Sequence, residues 1–213
     1  MNYVAVIFDL DGTLLDTLDD LMDAVNYSLS QCGMPIRSRD EVRRFVGNGI
    51  QLLMERAVPE GTTGEQFDRA FSLFKEYYGI HCNDKTALYP GIGEMLQELK
   101  RRGTRVAIVS NKADFAVKEL QKIYFEGVDI ALGEKAGVAK KPAPDMVKYV
   151  TKEMGVPMER CVYVGDSDVD IQTAQNAGIP CISVTWGFRD RSFLESHGAT
   201  AYAEDTKELL EQL

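Results

Sequence analysis

Long apolar runs are missing from this sequence of 213 residues, and so is any excess of positive charge. The apolar stretch Tyr3–Phe8 is too short for a membrane span or a signal-peptide core. It has no basic leader and meets Asp9 at once, so neither a spanning segment nor an export signal is expected. With 24 basic against 33 acidic residues the formal net charge is −9, a field that repels nucleic acid and anionic membrane surfaces. Any phosphate must therefore be captured by local groups. Cysteine is scarce: Cys32, Cys82, Cys161 and Cys181 stand far apart with no CxxC pair, which fits reduced thiols and a cytoplasmic protein. The histidines, His81 and His197, lack ligand-like spacing and are assigned to neither metal nor catalysis. Internal repeats and low-complexity segments are absent.

What is present is enough apolar material, 45% of residues, to bury a sizeable core. Tyr3–Phe8 is apolar without alternation and rich in valine and isoleucine, which predicts a strand buried on both faces of a parallel sheet. Similar strands are expected at Arg105–Val109, Cys161–Val164 and Cys181–Val184, with weaker ones near Ile130–Leu132 and Ala201–Ala203. Helical patterns lie between them at Ile92–Arg102, Lys112–Tyr124, Pro144–Gly155, Asp168–Gly178 and Lys207–Leu213. This alternation predicts an α/β fold with a doubly wound parallel sheet and a ligand site at the carboxyl ends of its strands. Residues 16–83 break the rhythm with helical segments near Asp19–Cys32, Arg39–Phe45, Ile50–Ala57 and Glu65–Tyr78. They are expected to form an inserted all-helical domain, leaving 1–15 and 84–213 as the α/β core.

The acidic residues cluster where the strands end. Asp9 and Asp11 follow the first strand in FDLDGTLLD, on the same side if strand geometry continues. Two close carboxylates are costly unless a cation or a shared proton relieves them; turn-forming or helix-capping aspartates are the plain alternative. A second group follows another strand in VYVGDSDVD. Asp166 sits at the strand end and Asp170 one helical turn on, while Asp168 is rotated away and complements the helix N-terminus. Neither run carries the glycine and terminal glutamate of a calcium loop, so Mg²⁺ is the expected cation. Two further strand ends, Ser110-Asn111-Lys112 and Lys140-Lys141-Pro-Ala-Pro-Asp145, offer a hydroxyl, helix N-terminal amides and an ammonium for a phosphoryl group.

In this order DLDGTLLDT, SN, KPAPD and GDSDVD resemble the four motifs of the haloacid dehalogenase superfamily, and the resemblance runs the whole chain. The position of the insertion is similar to a helical cap of the first type. RRFVGNGIQLLMERA and LYPGIGEML resemble the phosphoglycolate phosphatase group. The resemblance implies a Rossmann-like core and a Mg²⁺-dependent phosphatase acting on a small-molecule phosphomonoester such as 2-phosphoglycolate, as monomer or homodimer. It makes Asp9 the nucleophile and a metal ligand, and Asp11 the general acid/base with its backbone oxygen on the metal. Ser110 and Lys141 would hold the phosphoryl oxygens, Asp166 would bind the metal and Asp170 would support it from behind. Gly12, Thr13 and Asn111 fall in the same motifs as candidate substrate-binding positions. In the cap, Asn48 and Gly49 open a helix whose amides could receive a small anion; an ordinary turn is the alternative. A β-phosphoglucomutase-like mutase is the nearest rival, but those enzymes carry valine where this chain has Thr13 and a cap histidine where it has Leu21. Sugar phosphates, nucleotides and pyrophosphate remain alternative substrates. A dehalogenase would not use Asp11, and a non-catalytic binding module would usually have lost one of Asp9, Asp11, Ser110, Lys141 and Asp166.

Overall fold

The computed structural model describes residues 3–213. From Ala5–Phe8 (β1) the chain passes through Leu15–Asp16 (β2), then the helices Leu18–Gln31 (α1), Arg39–Phe45 (α2), Ile50–Ala57 (α3) and Gly64–His81 (α4), and Ala87–Leu88 (β3). Alternation follows: Ile92–Arg101 (α5), Arg105–Ala113 (β4), Asp114–Tyr124 (α6), Ile130–Glu134 (β5), Asp145–Met154 (α7), Cys161–Gly165 (β6), Asp168–Ala177 (α8), Cys181–Val184 (β7), Arg191–Ser196 (α9), Tyr202–Ala203 (β8) and Thr206–Gln212 (α10). The described residues divide into two compact units. One comprises the residues up to Leu15 with Leu88–Leu213, the other Asp16–Ala87.

The first unit is a six-stranded sheet in the order β5-β4-β1-β6-β7-β8, and its neighbouring strands pair in parallel. Alternate residues of each strand enter different layers. Val6, Phe8, Val106, Ile108, Val162 and Val164 pack with Ile92, Met95 and Leu99 of α5 and Leu209 of α10. Ala5, Ile7, Ala107, Val109 and Tyr163 pack with Met146, Val147 and Val150 of α7 and Ala174 of α8. Both faces are dry, which is why the strands read as unbroken apolar runs. Each fully buried Val, Ile or Leu contributes about 1.5–3 kcal/mol by leaving water.

In the helical unit, α1 and α4 supply most of the apolar stripe, with Leu21, Val25 and Leu29 from the first and Ala70, Phe74 and Tyr78 from the second, all buried. Ser38–Glu41 and Thr63–Gln66 form reciprocal capping boxes that start α2 and α4. No helix of the described residues is long and apolar enough to cross a membrane.

One local expectation needs correction, and two features left no readable pattern. The strand expected at Arg105–Val109 runs on to Ala113, and the helix begins at Asp114 rather than Lys112. Ala113 still pairs with Glu134 of β5, and Gly133 makes this possible, because a Cβ there would collide with the backbone of Lys112 and Asp114. The strands β2 and β3, two residues each, were too short to leave a pattern, and they pair as a separate sheet where the chain passes between the units. The helix α9 was not anticipated at all.

Candidate active site

Parallel pairing in register fixes where the chemistry emerges. Phe8 stands opposite Ile108 of β4 and Val164 of β6, so the chains leave these three central strands together. The next residues, Asp9, Val109-Ser110 and Gly165-Asp166, are therefore delivered to one edge, and the turn before α7 brings Lys141 to it. All four candidate side chains, of Asp9, Ser110, Lys141 and Asp166, are nearly inaccessible.

The centre is a carboxylate group around one ammonium. Lys141 Nζ lies 2.8 Å from Asp9 Oδ1 and 2.7 Å from Asp170 Oδ1. Ligand oxygens of Asp9, Asp166 and Asp170 all lie within 4.8 Å of one another. Burial first, then the charge of Asp170, holds the Asp9 carboxyl well above the ordinary range, with Lys141 opposing. Burial and Asp170 likewise push Asp166 up to about 7. Burial pulls the Lys141 ammonium down, but Asp170 and Asp9 outweigh it and hold it well above the ordinary lysine value. Three carboxylates around one ammonium thus resist full ionisation, and their oxygens suit a small hard cation that would relieve it.

The members of this cluster are not equivalent. Asp170 Oδ1 accepts from Lys141 Nζ at 2.7 Å and from the Tyr163 hydroxyl at 3.2 Å, and Oδ2 accepts from Ser167 N at 3.1 Å and Ser167 Oγ at 2.6 Å. A carboxylate offers about four acceptor sites, so Asp170 is fully engaged in orienting its neighbours. Asp166 accepts one bond on each oxygen, from the Thr13 hydroxyl at 3.2 Å and from Phe188 N at 2.7 Å, and so keeps capacity for a cation. Asp168 is only partly buried in the first turn of α8.

The remaining sequence candidates fall into place around it. Gly12 has φ 88°, and a Cβ there would strike the Asp166 carboxylate, so only glycine allows that approach. Two candidates for substrate contact have side chains bonded to neighbours in the site. Thr13 turns its hydroxyl to Asp166. Asn111 clasps the backbone of Lys141, its amide N–H donating to Lys141 O at 3.0 Å and its oxygen accepting from Lys141 N at 2.9 Å. Ser110 Oγ accepts from Lys112 N at 3.1 Å. The Asp11 side chain does not join the cluster; its Oδ1 lies 2.9 Å from Lys112 Nζ. Asn48 and Gly49 belong to the helical unit, where Gly49 precedes α3 with φ 87°. A groove of about 550 Å³ opens where β4 begins, at the other edge of the sheet, lined in part by Lys100, Phe125 and Gly127, and it holds none of these groups.

A family model, described as haloacid dehalogenase-like hydrolase, matches residues 6–184. The chain belongs to the haloacid dehalogenase-like hydrolases. A phosphoglycolate phosphatase of Pseudomonas putida is 33% identical over 215 aligned residues, covering 96% of this chain and 78% of that protein. One from Mesorhizobium japonicum is 33% identical over 201, covering 92% and 88%. A candidate phosphoglycolate phosphatase from Lactobacillus delbrueckii subsp. bulgaricus superposes with TM-score 0.95 at 39% identity, covering 100% of this chain and 98% of that one. Within the haloacid dehalogenase-like hydrolases the chain is thus phosphoglycolate phosphatase-like, and it is a phosphatase.

For this haloacid dehalogenase-like site, sequence reading missed the part played by several supporting residues, although Trp186-Gly187 after the Cys181–Val184 strand stands out in the sequence as able to line the site mouth or to pack as an aromatic at a strand end. Tyr163 is buried under Lys141 and Asp170; its only sequence signal was a hydroxyl in an otherwise aliphatic strand. Trp186 donates its indole N–H to Thr13 O at 3.0 Å, and Gly187 lies so close to Asp166 and Gly12 that a Cβ would collide with both. Nothing in the spacing joins this loop after β7 to a motif more than 150 residues earlier. The pairing of Lys112 with Asp11 was hidden for the same reason.

Proposed function

We propose that the protein is a magnesium-dependent phosphatase that hydrolyses 2-phosphoglycolate through a phosphorylated Asp9. The observation that carries this reading is the buried set of Asp9, Asp166 and Asp170 around Lys141, an anionic nucleophile beside the cation needed to bring an anionic phosphate to it. The oxygen donors, and carboxyls that resist ionising together without a cation, fit Mg²⁺, which the Asp9 and Asp166 carboxylates and the Asp11 backbone oxygen would hold. Bound there, the ion supplies charge neutralisation for the phosphoryl oxygens.

The chain's own residues do the rest. Asp9 forms a bond to phosphorus as the ester P–O bond breaks, and Asp11 gives its proton to the leaving alkoxide. Lys141 and Ser110 hold the phosphoryl oxygens, and Asn111 keeps Lys141 in place. As a carboxylate, Asp11 then takes a proton from the water that attacks the phosphorus. The P–O bond to Asp9 breaks, releasing inorganic phosphate and restoring the nucleophile. The relatives, named phosphoglycolate phosphatases at 33% identity, support 2-phosphoglycolate as the substrate. In this reading the helical unit is the cap, and Asn48 and Gly49 belong to its selectivity.

Asp9→Asn should abolish turnover of 2-phosphoglycolate while thermal unfolding stays cooperative, because an amide cannot form the acyl phosphate. Steady-state assays with Mg²⁺ test it; retention of most activity would remove Asp9 from the mechanism. A panel of sugar phosphates, nucleotides and pyrophosphate in the same assay tests the substrate.

A further inference from the structure

The site contains two buried ammonium groups, and the chemistry above uses one. Lys141 is committed to the nucleophile side, bridging Asp9 and Asp170. Lys112, with a side chain only 4% exposed, lies 2.9 Å from Asp11 Oδ1, whose own side chain is 17% exposed. Burying a lysine is costly unless it meets negative charge, and the chain does so beside Asp11, which stays out of the cluster. The extension of β4 past Val109, held over Gly133, puts Lys112 there.

In a phosphoryl transfer the entering and leaving oxygens lie on opposite sides of phosphorus. If Asp9 enters, Asp11 stands at the leaving oxygen, and a cation touching Asp11 lies next to whatever that oxygen carries. After the first step Asp11 is a carboxylate, and an anionic leaving group would then face it without a cation in a chain of net charge −9. We propose that Lys112 is a specificity-determining residue that receives an anionic substituent on the leaving group, the carboxylate of 2-phosphoglycolate. This rests on the reading of Asp9 and Asp11 given above, and it assigns the phosphoryl and carboxylate ends of the substrate to different lysines.

The test compares 2-phosphoglycolate with 2-hydroxyethyl phosphate, which has an alkoxide leaving group but no carboxylate. Lys112→Met should lower the ratio of their kcat/KM values about 10²-fold, the worth of a hydrogen bond to a charged group, and Lys112→Arg should restore most of it. In the wild-type protein, phosphonoacetate should inhibit more tightly than ethylphosphonate, a measurement that needs no variant to fold. Equal losses on both substrates would make Lys112 a positioning residue for Asp11 and overturn the proposal, as would equal inhibition by the two phosphonates. Full activity of Asp9→Asn would instead strike the underlying mechanism, so the two failures are told apart.

Discussion

Asn111 shows how a side chain can matter to a reaction without touching the reacting atoms. Its amide makes a donor and an acceptor bond to the same residue, Lys141, just before the peptide that leads into Pro142. The long lysine side chain can reach Asp9 and Asp170 together only if its backbone is held. Asn111→Ala removes both bonds and lets the ammonium drift; a displacement of an ångström in such a site costs about 10²-fold. The expected outcome is a fall of that order in kcat/KM on every phosphomonoester tested, with cooperative thermal unfolding retained. Unchanged kinetics would mean that Lys141 is placed by its two carboxylates alone. The motif made Asn111 visible in the sequence but not its task, because the residue it grips lies 30 positions further on.

At the scale of elements, the helical unit is tied together by a buried acid in the first turn of α1. Asp20 is 2% exposed and accepts from Lys85 N at 3.0 Å, Thr86 N at 2.8 Å and Thr86 Oγ1 at 2.7 Å. The residues after α4 are thereby fastened to the start of α1, which explains why the helical unit extends to Ala87 and not to the expected position 83. Asp20→Ala leaves the buried Thr86 N–H without its acceptor, while Thr86 Oγ1 keeps Cys82 O at 3.2 Å and the exposed Lys85 can turn to water, and it should cost about 1–3 kcal/mol of stability. Urea unfolding measures this; a loss below about 1 kcal/mol would show that water replaces the carboxylate at little cost. Helix propensity and pattern made α1 to α4 readable from sequence. Asp20 was not, since an acid in the first turn of a helix is ordinary on the surface.

For the whole molecule, the acids at the strand ends would couple stability to the metal proposed above. Asp166 at about 7 and Asp9, also held high, keep protons in the metal-free folded state that the unfolded chain has already released. The folded state therefore binds more protons between about pH 4 and 7, and stability falls as pH rises through that window. Lys141, held up rather than down, does not titrate there. The chelated protein should melt at a lower temperature at pH 8 than at pH 5. Mg²⁺ should raise the melting temperature more at pH 8, and Asp166→Asn should flatten the pH slope. Calorimetry with and without the ion checks this; a Tm indifferent to Mg²⁺ at pH 8 would contradict the metal assignment. The alternating sheet, the helical insert and the strand-end carboxylates of Asp9, Asp11, Asp166 and Asp170 were legible along the chain, because burial on both faces and acids at strand ends leave local patterns. Only the tertiary structure decided that Asp170 is saturated by Ser167, Tyr163 and Lys141, that Thr13 and Asn111 serve Asp166 and Lys141, and that Lys112 meets Asp11. Those pairings join residues up to about 150 positions apart. They are set by which strands lie side by side in register, and no spacing along the chain encodes that.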